Sequence, residues 1–262
     1  MPKFPPIVAP GRTTIRILAI LAAIGLWHLG SVNHLSFGLS FENVPSPVRV
    51  AAEIVDLAAG RDIWSHLLIS VQRVALSFVL AAILGIAAGL VMGRYRIARD
   101  ILIPYIEILR PIPAVAWIPL AILMWPTEES SILFITFLGA LFPIVLNTIH
   151  GVEQTQAILV RAARSLGARE VDIFRHVVLP GALPSIATGL AIGMGVSWFS
   201  LLAGEIISGQ YGIGYFTWVS YSLVQYPRII VGMLAIGGLG TLSTWLVRRA
   251  TAPLLTWQAG GR

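Results

Sequence analysis

The sequence contains no cysteine and few charged residues. Because none of its 262 residues is Cys, disulfide bonds and metal sites built on thiolates are excluded. Only 11% of the residues are Asp, Glu, Lys or Arg, whereas about 25% are charged in an average soluble domain. Hydrophobic residues make up 56% of the chain, and the mean hydropathy is +0.83. Too few polar side chains remain to cover a water-soluble particle, so the composition predicts an integral membrane protein.

Patterns typical of enzymes and nucleotide-binding proteins are also missing. The histidines are scattered and form no H-E-x-x-H pattern; they are His28, His34, His66, His150 and His176. An integral membrane enzyme would group His, Asp or Ser side chains at one depth, so this class is disfavoured. No Walker-type phosphate loop is present, and Gly212-Ile213-Gly214 is too short for one and is interpreted as a turn.

Six apolar runs are long enough to cross a bilayer, since a helix rises about 1.5 Å per residue and the hydrocarbon layer is about 30 Å thick. They predict an all-α fold, a polytopic bundle with spans at residues 14–32, 66–93, 101–125, 130–150, 185–203 and 229–247. A signal peptide is the alternative for the first run, but its length and the lack of a clear cleavage site favour a retained span. Residues 14–250 then form one transmembrane domain, and residues 1–13 and 251–262 are its tails.

Shorter features lie within and between these spans. Residues 48–59 are amphipathic and predict an interfacial helix, and residues 205–228 are irregular, with aromatic residues that suit a membrane–water boundary. Small-residue stripes predict close helix packing; they consist of Gly85, Gly89 and Gly93 in the second span and Gly189 and Gly193 in the fifth.

The third span contains four prolines and two ionisable residues. Prolines leave backbone carbonyls free that lipid cannot satisfy, so this segment should face protein or a watery cavity. Glu107 and Arg110 lie inside it, three residues apart. A structural ion pair and a place on a transport path are equally open interpretations.

The longest polar interruption is at residues 156–180, here called the elbow. Its first part places Ile158, Leu159, Ala162 and Leu166 on one face of a short helix. Gly167 is expected to end that helix in the left-handed conformation.

A second short helix is predicted within the elbow. Val171, Phe174 and Val178 form its apolar face, and Glu170 lies in its first turn, where the helix dipole favours an acid. Leu179-Pro180 is expected to stop it. Such short helices need a surface to pack on, which is either the protein's own bundle or a soluble partner.

The basic residues sort to one side of the membrane when the elbow and both termini are placed together. That side holds 13 of the 18 basic residues; they are Lys3, Arg12, Arg16, Arg94, Arg96, Arg99, Arg161, Arg164, Arg169, Arg175, Arg248, Arg249 and Arg262. By the positive-inside rule this side is cytoplasmic. Because the arginines follow topology and form no single patch, no nucleic-acid partner is expected.

The spacing in the elbow resembles the cytoplasmic loop signature of bacterial ABC importer permeases. Ala162-Ala163 are followed after three residues by Gly167, and after nine more by Val177-Val178-Leu179-Pro180. Arg161 stands where the family usually has Glu, and Met124-Trp125-Pro126 stands where it usually has Trp-Phe-Gly.

The resemblance extends from Pro45 over nearly the whole chain and is closest to the nitrate, sulfonate and taurine subgroup. The matching stretches include Pro45-Ser46-Pro47, Ser70-Val71-Gln72-Arg73-Val74, Leu109-Arg110-Pro111-Ile112-Pro113, Ala116-Trp117-Ile118-Pro119-Leu120, Phe142-Pro143-Ile144, Asn147-Thr148 and Ala203-Gly204-Glu205.

This resemblance implies a type I importer permease in the bacterial inner membrane, with both termini cytoplasmic. The implied partners are a second copy of the chain, two cytoplasmic ATP-binding subunits docked on the elbows, and a periplasmic or lipid-anchored substrate-binding protein. ATP and Mg would be bound by the ATPase subunits, so this chain would carry no cofactor, would not be an enzyme, and would move its solute by alternating access.

The resemblance also suggests roles for individual residues. The coupling residues would be Arg161, Ala162, Ala163, Arg164, Gly167, Leu179 and Pro180, and the path candidates are Arg110, Trp117, Glu205 and Glu107. Trp198 and Phe199 are expected to pack between helices or line the cavity. A sulfonate, taurine or nitrate-like anion is the expected substrate; a thiamine precursor or an aromatic acid is the alternative. A secondary transporter also stays open, although it would not need this elbow.

Overall fold

The computed structural model describes residues 11–33 and 43–255, and within these residues every regular element is helical. In chain order the helices are α1 (Arg12–Val32), α2 (Pro47–Ala59), α3 (Asp62–Arg94), α4 (Arg96–Leu109), α5 (Ile118–Met124), α6 (Glu128–Glu153), α7 (Ala157–Ser165), α8 (Glu170–Ile173), α9 (Leu179–Ser208), α10 (Ile213–Ser222) and α11 (Tyr226–Thr251). The predicted all-α class is confirmed. The outer parts of the predicted tails, at 1–10 and 256–262, lie outside the described residues.

Five helices of the described chain, α1, α3, α6, α9 and α11, are long and apolar enough to cross a membrane. The third predicted span differs from a single helix at residues 101–125. It begins at Arg96 and divides into α4 and a segment of Ala114–Met124, which are bent by 93°. Pro111 and Pro113 lie in the break and have no backbone N–H to continue a helical ladder. The bent pair is the sixth candidate span.

The centre of the bundle is a stack of three helices, in which α6 packs against both α3 and α9. The glycine stripes explain how closely these helices approach. A Cβ on Gly89 of α3 would lie 2.5 Å from the Cβ of Thr148 on α6, and one on Gly189 of α9 would lie 2.7 Å from the Cβ of Asn147. The predicted packing role of the stripes is confirmed, because any larger residue would force these helices apart.

The expected stop at Leu179-Pro180 is wrong. A π-helical turn, Phe174–Val178, follows α8 directly and leads into α9, where Pro180 lies in the first turn. Because the helix is continuous here, Pro180 interrupts its hydrogen-bond ladder, since proline has no backbone N–H. The wider π turn directly before it is a local departure from the regular α-helical ladder. The elbow therefore passes into α9 without a loop.

Two other segments are more regular than their sequences suggest. The basic residues at 94–99, interpreted as a loop, are broken only at Tyr95, and Arg96 already begins α4. The irregular stretch at 205–228 contains the ten-residue helix α10, which packs on α9 and α11. A helix is confirmed where the sequence predicts an interfacial one: α2 covers residues 47–59 and packs on α11.

Candidate functional site

One side of the elbow is anchored to the bundle by apolar contacts. Val160 and Ala163 of α7 pack against a buried cluster that includes Val152 of α6, Ile173 of α8 and Ala182 of α9. The elbow thus rests on the ends of the two central helices. Because the cluster draws side chains from α6, α8 and α9, the elbow is packed directly on the long helices α6 and α9.

Gly167 ends α7 in the left-handed conformation that the sequence predicts. Its φ is +82°, the Gly167 N–H donates to the Arg164 carbonyl at 3.0 Å, and the Ala168 N–H donates to the Ala163 carbonyl at 3.1 Å. This pair of bonds is the Schellman arrangement, which satisfies carbonyls at a helix C-terminus. A Cβ on Gly167 would meet no atom within 4 Å, so the backbone conformation alone calls for glycine.

Glu170 ties both short helices of the elbow to the end of α3. Its carboxylate accepts from Arg164 Nε at 2.8 Å and from Arg94 Nη2 at 2.5 Å. The hydrogen bond to Glu170 raises the pKa of the Arg164 guanidinium above its usual value. The side chains of Arg94, Arg164 and Glu170 are all more than a third exposed. Ion pairs between exposed side chains contribute little stability. Their effect is geometric, since they fix the angle between α7 and α8.

The other side of the elbow is apolar and uncovered. Leu166 is 88% exposed and Val171 is 74% exposed, and Ile158 and Leu159 are each more than half exposed. These four residues, here called the open face, belong to the apolar faces that the sequence predicts for the two short helices. The two alanines divide between the sides: Ala162 is exposed, whereas Ala163 packs on the bundle. Arg161 forms no ion pair within the described chain.

A second constellation lies at the opposite end of α3, about 30 Å away at 1.5 Å per residue. Ser70 and Arg73 of α3 meet Glu205 of α9 there, and Glu205 is fully buried. Its Oε1 accepts from Ser70 Oγ at 2.7 Å and from Arg73 Nη1 at 2.9 Å. Arg73 Nε also donates to Glu129 of α6 at 2.9 Å. We call these four residues the buried ion network.

The network holds the start of α10. The N–H of Gly214 donates to Glu205 Oε2 at 2.8 Å, that of Ile213 to Ser70 Oγ at 2.8 Å, and that of Gly212 to His66 Nδ1 at 3.0 Å. These donors would otherwise be unsatisfied at a helix N-terminus. The carboxylate also complements the positive end of the helix dipole. Glu205 therefore fastens α10 to α3 and α9.

A cavity of about 350 Å³ lies between the bent pair and the central helices, and we call it the Arg110 cavity. The helix α6 contributes residues near the middle of its length, so the cavity lies at about half the height of the bundle. Most of the wall is apolar; it includes Ile112, Leu138, Phe142, Leu146, Val196 and Phe199. Arg110 is the one charged residue among the lining residues and forms no ion pair within the described chain.

Two lining residues of the Arg110 cavity carry buried polar atoms without a hydrogen-bond partner: Trp117 Nε1 and Ser200 Oγ. Among the described residues Thr155 Oγ1 is the one further buried side-chain atom without a partner, whereas comparable groups on α9 are satisfied. Trp198 Nε1 donates to Ser243 at 2.8 Å, and Ser197 Oγ donates to the Gly193 carbonyl at 2.9 Å. An unsatisfied buried donor costs about 1–3 kcal/mol, and two of the three such atoms in the described chain lie at this cavity.

The structure brings together only two of the four predicted path residues. Arg110 and Trp117 line one cavity, whereas Glu205 lies in the buried ion network and Glu107 is exposed on α4 outside the lining. Between Glu107 and Arg110, both of which the structure describes, no ion pair forms. Phe199 lines the Arg110 cavity as expected.

Sequence reasoning missed Arg73 and Ser200. Arg73 could have been singled out as Arg110 was, because a charge inside an apolar span is costly and needs a partner. Nothing distinguishes Ser200 from other serines in the sequence, since its lack of a partner becomes visible only in the packed structure.

Comparison with known proteins supports the reading of these features. Residues 81–252 match the family described as binding-protein-dependent transport system inner membrane component. A putative aliphatic sulfonates transport permease of Escherichia coli (strain K12) is 37% identical over 237 residues, covering 90% of this chain and 86% of the relative. A taurine transport system permease of the same organism is 32% identical over 219 residues, covering 82% and 80%. A nitrate import permease of Synechocystis is 34% identical over 209 residues, covering 76% of each.

The matched region includes the C-terminal part of α3, the bent pair, α6, the elbow, α9, α10 and all of α11. Its extent exceeds half of the chain, and the relatives align over most of their own length. The chain therefore belongs to the binding-protein-dependent transport system inner membrane components and is an ABC transporter permease.

Proposed function

We propose that this chain is the permease subunit of an ATP-driven importer that moves a small anionic solute from periplasm to cytoplasm. The relatives named for nitrate, taurine and sulfonate transport support an anion of that kind. The Arg110 cavity supports it as well, because its single charged lining residue is a cation. A fixed cation lowers the cost of an anion at membrane depth.

The open face of the elbow is the observation that carries the proposal. Four large apolar side chains stay exposed on a segment that also carries several charged residues, while the same segment is joined to α3, α6 and α9. Burying one such side chain is worth about 1.5–3 kcal/mol. We propose that the open face docks on a cytoplasmic ATP-binding subunit, which would hold ATP and Mg.

Transport would then follow from the connections of the elbow. Movement of a docked ATPase would shift the elbow, and the apolar cluster around Ile173 and the Arg94–Glu170 bond would carry that shift to the central helices. In a pair of permease copies with two ATPases, this gives alternating access. The solute would arrive from a periplasmic or lipid-anchored binding protein and pass by Arg110 and Trp117. Both termini would be cytoplasmic.

The function is tested with the assembled transporter in proteoliposomes. The permease is reconstituted with its ATP-binding subunit and binding protein, and uptake of radiolabelled taurine, butanesulfonate and nitrate is measured with and without ATP. ATP-dependent uptake of at least one of these three solutes, each of which carries a sulfonate or nitrate group, is expected. Uptake of a thiamine pyrimidine or an aromatic acid instead would contradict the substrate class, and uptake by the permease without ATP would indicate a secondary transporter.

Docking is tested by substitutions in the elbow that leave the bundle intact. In Leu166→Ser the exposed side chain becomes polar, and ATPase co-purification should fall about tenfold or more. Leu223→Ser is the matched control, because Leu223 is 60% exposed next to α10, at the far end of the bundle. Equal co-purification by both variants would refute docking through Leu166.

Gly167→Val is expected to abolish co-purification by a different route, since a β-branched residue resists the positive φ of +82°. Gly25→Val is its control, because Gly25 also has open space around a Cβ but lies within a regular helix. An intact complex with Gly167→Val would remove the role given to the elbow angle.

A further inference from the structure

The Arg110 cavity combines one cation and two unpartnered donors with an apolar wall. Arg110 supplies the charge, and Trp117 Nε1 and Ser200 Oγ are buried without acceptors. Ser200 is fully buried. The remaining lining is largely hydrocarbon and aromatic. This is the composition of a ligand site, in which a few polar groups orient a molecule that apolar side chains enclose.

Ser200 of α9 packs closely against Gly139 of α6. A Cβ on Gly139 would lie 2.1 Å from Ser200 Oγ, so only glycine leaves room for this hydroxyl. The other buried hydroxyls of the two helices, such as Thr136, Thr148 and Ser197, bond the carbonyl four residues earlier. Ser200 makes no such bond. Its hydroxyl therefore has no acceptor among the described residues.

We propose that the Arg110 cavity is a substrate-selective site within the permease for an amphipathic organic monoanion. The anionic head accepts from Arg110, Trp117 Nε1 and Ser200 Oγ, and the apolar body lies against Phe142 and Phe199. This inference rests on the proposed function and adds a second selection step, after that of the binding protein. A bare inorganic anion satisfies the donors but leaves the apolar wall without a partner, so it binds more weakly.

The apolar wall is tested on the unmodified chain, which avoids any question of misfolding. The purified full-length permease in lipid nanodiscs, without ATPase or binding protein, is titrated with methane-, ethane-, propane- and butanesulfonate and with nitrate. Affinity should rise about fourfold for each added methylene, the ratio given by burial of one CH₂. Affinity that is flat along the series, equal affinity for nitrate and butanesulfonate, or no binding of any probe overturns the proposal.

The donors are tested by removing one polar group at a time and measuring butanesulfonate affinity. Arg110→Gln should weaken binding about tenfold or more, because its hydrogen bond to the head is charged, and Trp117→Phe and Ser200→Ala should each weaken it about two- to tenfold. Trp198→Phe and Ser197→Ala are matched controls, since their polar atoms already have partners in the protein. Their affinities should stay within about twofold of the unmodified chain, below the effect of even a weak hydrogen bond. Unchanged affinity in Arg110→Gln, with retained size-exclusion behaviour, refutes the site.

The importer function and the ligand site in the Arg110 cavity can be refuted separately. If the complete transporter shows ATP-dependent uptake while the isolated permease binds no alkanesulfonate, the site is wrong and the importer function stands. If the isolated permease binds butanesulfonate with the expected chain-length dependence but uptake needs no ATP, the importer function is wrong and the site stands.

Discussion

Removing the guanidinium of Arg73 tests whether the buried ion network holds α10 on the bundle. In Arg73→Met the hydrocarbon stem is largely retained, while the Glu205 carboxylate loses its cation and the Tyr211 carbonyl loses a donor at 2.7 Å. Glu205 stays fully buried, with only Ser70 Oγ and the Gly214 N–H as donors. An uncompensated buried charge is the dominant consequence.

The expected magnitude follows from the burial of each partner. Loss of one partner of a buried ion pair costs about 3–5 kcal/mol, and we expect Arg73→Met to lower the free energy of unfolding by that amount. The pair with Glu129 adds less, because the Glu129 side chain is 52% exposed and exposed pairs contribute about 0–1 kcal/mol. Glu129→Gln should therefore lower the unfolding free energy by less than about 1 kcal/mol.

The assay is reversible unfolding of the purified chain in mixed micelles with increasing denaturing detergent, followed by helix content. A double variant, Arg73→Met with Glu205→Gln, removes both charges and should be less destabilised than the sum of the single variants by about 1–3 kcal/mol. The reasoning is refuted if Arg73→Met changes the unfolding free energy by less than about 1 kcal/mol, or if the two effects add within about 0.5 kcal/mol.

The other stability predictions concern glycine substitutions, and the free energy of unfolding of each variant is measured in the same assay. Gly89→Ala should destabilise by about 1–3 kcal/mol, because its Cβ would lie 2.5 Å from Thr148 Cβ across the α3–α6 contact. Gly212→Ala should destabilise by at least about 1–2 kcal/mol, because its φ is +122° and its Cβ would lie 2.2 Å from the Glu205 carboxyl carbon. Gly238→Ala is the control: it has open space within a helix, so equal losses in all three variants would contradict both explanations.

The helical class and most of the packing could be predicted because they follow from local sequence. Apolar runs define the long helices, and glycines at every fourth position mark the faces at which α3 and α9 meet α6. The Leu179-Pro180 stop could not be predicted correctly, because no local pattern in the sequence marks the π turn at Phe174–Val178 that leads into α9. The prolines at the 93° bend are visible in the sequence, but the direction of the bend is not.

The candidate sites divide in the same way. The apolar periodicity predicts the open face at Ile158, Leu159 and Leu166, and Gly167 predicts the left-handed end of α7, because both are local features. The separation of Glu205 from Arg110 was not visible, since both are charges in apolar spans and only tertiary contacts assign Arg73 to one of them. The unpartnered atoms of Trp117 and Ser200 likewise depend on which neighbours the fold brings near.

Accessibility of the elbow from each side of the membrane tests the central claim most directly. The chain has no cysteine, so Leu166→Cys introduces a single thiol on the open face, and Leu223→Cys introduces one near α10 as a control. A membrane-impermeant maleimide should label Leu166→Cys in inside-out vesicles but not in intact cells, and added ATP-binding subunit should block that labelling. The Leu223→Cys variant should show the reverse sidedness and no protection. Labelling of Leu166→Cys from outside intact cells, or labelling unaffected by the ATPase, would contradict the account.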